Sequence, residues 1–212
     1  PMAGSIKGGF LAIGVVVAGV TLSIGGFGIW VQSETAARLD KQYLALQSVR
    51  NHLTGDMMHD AIRADVLQAM LISTDPTFGN QADVAKDLRE HADEFKTMLK
   101  ANEALPLPHE IASAIEGIEE PLQAYIASGE AVVAAAFTDR ALAMTDMPQF
   151  MARFSEMEEA QGTVSDKIVA YAAAVKADSD RIKLFAAIAL WSALAVAMVI
   201  AWLPLVTAIE TT

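Results

Sequence analysis

Two stretches without one charged side chain bracket this chain, residues 8–33 and residues 184–209. The hydrocarbon core of a bilayer is about 30 Å thick, and a helix needs roughly 20 apolar residues to cross it. Residues 9–31 (GFLAIGVVVAGVTLSIGGFGIWV) and 184–203 (LFAAIALWSALAVAMVIAWL) meet that length. We read both as membrane-spanning helices. The first run is longer than the roughly 7–15 residues of a signal-peptide core and no A-x-A site follows, so it reads as an uncleaved anchor. Trp30 and Trp202 fall near span ends, where interfacial aromatics belong. Gly14-x-x-x-Ala18 and Gly19-x-x-x-Ser23 set small residues one turn apart, which permits close helix approach in lipid and is also ordinary span composition.

The segment between is different. From 34 to 180 it carries 12 Lys and Arg against 25 Asp and Glu. Nucleic-acid binding needs a surplus of Lys and Arg, so that class is excluded. The absence of cysteine removes disulfide scaffolds, thiolate zinc sites and Cys nucleophiles. No stretch alternates with period two. Apolar residues recur at gaps of three and four instead, the seam of a coiled-coil-like bundle. The first helix reads Leu39, Tyr43, Leu46, Leu53, Met57, Ala64, Leu67, Leu71; the second Val84, Leu88, Ala92, Phe95, Leu99. The third reads Ile111, Ile115, Ile118, Leu122, Tyr125, Val132, Ala136; the fourth Phe150, Phe154, Met157, Val164, Ile168, Tyr171, Val175, Ile182.

Breakers separate these runs. Residues 73–80 (STDPTFGN) end the first helix, and Asn80 caps the second. Leu105-Pro106-Leu107-Pro108 divides the second from the third. Pro121 predicts a kink within the third, and Asp146-Met147-Pro148 opens the fourth. Short loops make neighbouring helices antiparallel. The expected fold class is all-α: an antiparallel four-helix bundle ectodomain flanked by two transmembrane helices continuous with bundle helices 1 and 4. The expected divisions are a cytoplasmic tail at 1–7, a span at 8–32, an extracytoplasmic domain at 33–183, a second span at 184–203 and the start of a linker at 204–212. Pro1-Met2-Ala3-Gly4 reads as a cloning remnant, and the chain as a piece of a longer protein.

One face departs from bundle patterning. Val49, His52, Asp56, His59, Arg63, Val66 and Met70 share the three-four spacing and lie about a quarter turn from the apolar seam, with Arg50 and Asp60 beside them. Three readings are open. The face is solvated and held by local pairs, Asp56 with His52 and Asp60 with Arg63. Or Arg50, His52, Asp56, His59, Asp60 and Arg63 form a ligand or interface site, in which the arginines grip a carboxylate bidentately. Or His52, Asp56 and His59, at i, i+4 and i+7, hold a metal with a further ligand such as His91 or His109. The metal question stays unknown, and no cofactor is expected.

Span, four-helix domain, span resembles the sensory half of bacterial methyl-accepting chemotaxis receptors. Residues 55–67 (GDMMHDAIRADVL) are similar to a Met-Met-His-Asp-Ala-x-Arg-x-Asp-Val run in one branch of that family. Pro121-Leu122-x-x-Tyr125-Ile126 and Pro148-x-Phe150-x-x-x-Phe154 resemble the same branch, and Pro204-Leu205-Val206-Thr207-Ala208-Ile209-Glu210 resembles the opening of a HAMP linker. The resemblance implies a homodimer, a small-molecule ligand in the bundle or across the dimer, and a piston-like displacement passed to a cytoplasmic signalling domain and its kinase complex. Family members with amino-acid ligands use arginines of the first helix near the dimer interface. The implied location is the bacterial inner membrane, crossed twice, with both termini cytoplasmic and the sensor periplasmic. The same modules precede histidine kinases and diguanylate cyclases, so those outputs stay open, as does an adaptor role in which the bundle binds a protein. No Ser-His-Asp order, Gly-rich phosphate loop or helical Glu-x-x-His pair occurs, so no enzyme is expected.

Overall fold

The computed structural model describes residues 2–210, with side chains at 14, 15, 17–200 and 202. The described chain is helical with no strand: α1 (Met2–Ile72), a 3-10 turn (Pro76–Phe78), α2 (Gln81–Glu103), α3 (His109–Glu116), α4 (Glu119–Thr138) and α5 (Arg140–Glu210). It divides into two compact units, one of residues 42–173 and one of residues 1–41 with 174–212.

In the 42–173 unit the turns follow from a few polar side chains. The Asp75 carboxylate accepts from the Thr77 amide at 2.9 Å, and Asn80 accepts from the Asp83 amide at 2.9 Å to cap α2 as expected. Gly79 between them has φ 143°, a left-handed conformation that a side chain resists, and a Cβ there would lie 3.0 Å from Ile72 Cδ1. Residues 104–108 join α2 to α3, with Pro108 as the α3 cap residue.

Two boundaries differ from the sequence reading. The kink expected at Pro121 is a full interruption at Gly117 and Ile118. Pro121 then sits in the first turn of α4, where a missing N–H costs no helical hydrogen bond. The last helix begins at Arg140, not at 146–148. Asp139 sets that start by accepting from the amides of Ala141 and Leu142, both at 3.1 Å. Pro148 lies within α5, whose flanking Ala143, Phe150 and Phe154 are anchored in the core. Their burial outweighs the one helical bond that a proline removes.

All five expected seam residues of α2 are buried, as are all seven of the third run, which the structure divides among α3, Ile118 and α4, and Phe150 to Ile168 of α5. Ser48 on α1 meets Asn102 and Asp65 meets His91, so α1 and α2 run in opposite senses; His59 meets Phe154 of α5.

The first helix corrects the reading. Its apolar seam faces outward: Leu46 is 65% and Met57 66% exposed, and Leu39, Tyr43, Leu53, Leu67 and Leu71 are exposed as well. The core face is a second three-four stripe of Ala45, Ser48, His52, Gly55, His59, Ile62, Val66 and Ala69. Small residues on it let bulky partners approach. A Cβ on Gly55 would lie 3.1 Å from the Phe95 ring.

The other unit contains parts of α1 and α5. Trp30 packs edge-on to Phe185 at 6.2 Å, and Arg38 pairs with Glu34 at 3.3 Å and with Asp178. Among the described residues, one helical stretch, within 140–200 of α5, is long and apolar enough to cross a membrane, with mean hydropathy 2.2 and none of its apolar window buried. The span expected at 9–31 falls partly on side chains outside those described, as do the side chains of the 1–7 tail and the 204–212 linker.

Candidate functional site

The polar face of α1 does not form one surface. His59 is 2% exposed and lies in an aromatic knot. Its ring stacks on Phe154 at 4.1 Å and 7°, and Tyr125 meets it edge-on at 5.1 Å. His59 Nε2 donates to the Phe154 carbonyl oxygen at 3.2 Å, a geometry that assigns the ring proton to Nε2 in the neutral imidazole. The Tyr125 hydroxyl donates to the His59 carbonyl oxygen at 2.9 Å. Burial keeps that phenol protonated far above its ordinary range. Burial also lowers His59, against the backbone bond to Phe154 and the carboxylates of Asp60, Asp56 and Glu158, which favour the charged ring.

His52 lies one side of this knot, 9% exposed, on a cavity that leaves about 10 Å³ for the centre of a water. Gly55, Phe95, Leu99, Asn102, Ile118 and Gln161 share that lining. Asn102 Nδ2 donates to the Ser48 carbonyl oxygen at 3.3 Å, while Asn102 Oδ1, Gln161 Oε1 and Ser48 Oγ are buried with no protein partner. Desolvation lowers His52, with Asp56 opposing.

On the other side of the knot, Asp65 is buried and receives His91 Nδ1 at 2.7 Å. Burial raises its carboxyl and the His91 contact lowers it, with burial the larger cause. The sequence reading missed this pair and the Ser48–Asn102–Gln161 cluster. A signal for the cluster existed: Asn102 continues the spacing of Leu99, and Gln161 falls between Met157 and Val164 in the α5 seam.

Of the rest of the stripe, Val66 and Met70 are buried, and the other charged residues lie at or near the surface. Arg63 is half-buried; it donates to Asp60 Oδ1 at 2.9 Å and holds its guanidinium carbon 4.1 Å from the Phe154 ring centre. Asp56 and Arg50 are exposed and have no ion-pair partner among the described residues. Of the expected local pairs, Asp60–Arg63 forms; His52 and Asp56 interact through charge and share no hydrogen bond. The expected ligand set is thus split, with His52 and His59 inside and Arg50, Asp56 and Asp60 outside. Arg50 and Asp60 fall in the spacing of the exposed apolar stripe, Arg50 between Leu46 and Leu53, Asp60 between Met57 and Ala64. Among the described residues no three His, Asp or Glu side chains gather closely enough to hold a metal ion, which leaves the open metal reading of His52, Asp56 and His59 without an assembled cluster.

The chain matches no protein-family model, no curated protein and no solved structure.

Proposed function

We propose that this chain is the sensory part of a two-pass membrane receptor. In this reading the 42–173 unit is an antiparallel four-helix bundle outside the inner membrane. Helices α1 and α5 continue into the two spans, and both termini are cytoplasmic. The active form is a homodimer, a small ligand is the stimulus, and a displacement of α5 is the output to a cytoplasmic signalling domain or kinase complex. Energy for that displacement comes from ligand affinity that differs between two helix arrangements, typically a coupling of about 1–3 kcal/mol.

The observation that carries this reading is the outward stripe on α1. Leu39, Tyr43, Leu46, Leu53, Met57, Leu67 and Leu71 keep heptad spacing and are exposed. Within the 42–173 unit, over 43–71, that stripe is about 42 Å long at 1.5 Å per residue. Exposed apolar surface of that extent and regularity marks an interface. A second copy anchored in the same membrane presents the same stripe in parallel and brings Arg50 beside its own counterpart. Two arginines at a two-fold axis repel each other unless an anion sits between them, which makes a carboxylate the matching ligand chemistry.

Two measurements test the reading. The chain has no cysteine, so Leu53→Cys introduces a single thiol. In native membranes under mild oxidation it is expected to give a disulfide-linked dimer, while Ala152→Cys, exposed on α5, does not. A monomer from Leu53→Cys overturns the homodimer. Thermal melting of the full chain against L-aspartate, L-glutamate and succinate is expected to show a Tm that climbs with concentration and no longer does so in Arg50→Ala. A flat response to all three favours the adaptor reading, in which the stripe takes a helix of another protein.

A further inference from the structure

We propose that the interior of the 42–173 unit is a proton-binding site, in which charging His59 and His52 loosens α1 from α5 and α2. The inference stands on packing within this unit and goes beyond the carboxylate-sensing reading.

The neutral ring of His59 is well placed, with Nε2 on the Phe154 carbonyl and both ring neighbours aromatic. A second proton must go to Nδ1. Among the described residues that atom makes no hydrogen bond: the ring's one bond is from Nε2 to Phe154, and the Tyr125 hydroxyl is bonded to the His59 carbonyl oxygen. The charged ring would also share the Phe154 ring with the Arg63 guanidinium, a like charge. The charged groups that bear on it are Asp56, Asp60 and Arg63 from α1 and Glu158 from α5; α4 offers only the Tyr125 hydroxyl. The carboxylates are exposed and therefore screened. His52 is enclosed by Phe95, Leu99 and Asn102 of α2, Ile118, and Gln161 of α5, none of them ionisable, with Asp56 the one charge acting on it. An unpartnered buried charge is costly, so protonation favours arrangements in which these rings reach water.

The sign follows from burial. Both histidines bind protons less readily folded than unfolded, where the value is near 6.5. Their contribution to stability is complete above that value and is lost as pH falls through it. Asp65 works in the opposite direction, because its raised carboxyl makes the folded form take up a proton sooner. A loss of stability in mild acid therefore cannot come from Asp65.

The test uses the full chain in lipid nanodiscs without added carboxylates. Its four histidines are resolved by imidazole NMR and assigned by single His→Gln variants. His59 and His52 are expected to titrate below 6.5, and titration of either at or above that value overturns the proposal. Amide exchange, corrected for its intrinsic pH dependence, is followed in the segments around 55–66 and 148–161. Between about pH 7.5 and about pH 5.0, protection is expected to fall severalfold in the native chain, and by less than half as much in His59→Phe. His59→Gln, which keeps a donor for the Phe154 carbonyl and cannot titrate, serves where the phenylalanine variant fails to fold. Equal loss in the native and His59 variants, or no loss in the native chain, overturns the proposal. Carboxylate-dependent melting is read separately, so either result leaves the sensor reading to its own test.

Discussion

At the scale of single residues, the interior of the 42–173 unit is decided by aromatic stacking with polar atoms threaded through it. Tyr125 is fully buried, and its hydroxyl has one bond, to the His59 carbonyl. Tyr125→Phe removes that bond and keeps the ring, so it is expected to cost about 1 kcal/mol in denaturant unfolding. Phe154→Ala removes the surface on which His59 and Arg63 both rest and is expected to cost about 3–5 kcal/mol. Gly79→Ala forces a side chain into φ 143° against Ile72 and is expected to cost about 1–2 kcal/mol. The sequence singles out His52 and His59 by their spacing as candidate ligand or metal residues, and the structure buries both. Their direction was not legible. A histidine carries an apolar ring and two polar atoms, so a water-facing site and a stacked core both accept it. What decides is the partner ring, Phe154, some 95 residues away.

At the scale of elements, α1 shows why period alone assigns a wrong face. It has two stripes of identical three-four spacing. The more apolar stripe, Leu39 to Leu71, is exposed; the one in the core includes Ser48, His52, Gly55 and His59. Ranking by hydrophobicity picks the outer stripe. The inner one is small and polar because Phe95, Phe154 and Tyr125 arrive from α2, α5 and α4 and need room. In α2 and α3 a single apolar stripe exists, and there the reading and the structure agree; in α4 the predicted seam is buried together with Ile126, Val133 and Ala135 beside it. The α4–α5 boundary was misplaced for a related reason. Pro148 is a conspicuous breaker, yet a proline removes one bond, while Asp139 supplies two to the free amides at a helix start. The two stripes of α1 make separable predictions. Leu53→Glu on the outer stripe should leave unfolding of the monomer within about 0.5 kcal/mol of native. In the same variant, sedimentation should show the dimer lost. Ile62→Ala on the inner stripe should lower stability by about 2–5 kcal/mol. Equal destabilisation by both variants would mean that the outer stripe is covered within one chain.

At the scale of the whole molecule, the proposed receptor requires each stretch to lie on a set side of a bilayer. The apolar stretch of α5 begins just after Arg181 and Lys183, and the acidic 34–180 segment is too long to be scored by the positive-inside rule. Orientation must therefore be measured. A two-pass chain has its ends on one side and its middle on the other. Fusion of alkaline phosphatase, which is active only outside the cytoplasm, is expected to give activity when inserted in the 104–108 loop and none when placed after Thr212. Activity at both positions would leave the α5 stretch uncrossed and remove the route from the helical unit to a cytoplasmic output. The complementary variant is Ala193→Arg, which puts a charge within the apolar stretch of α5. A central arginine raises the apparent cost of insertion by about 2.5–3.5 kcal/mol. That cost should shift a share of the fusions after Thr212 from the inactive to the active side, because a stretch that no longer stops in the bilayer carries its end across with it.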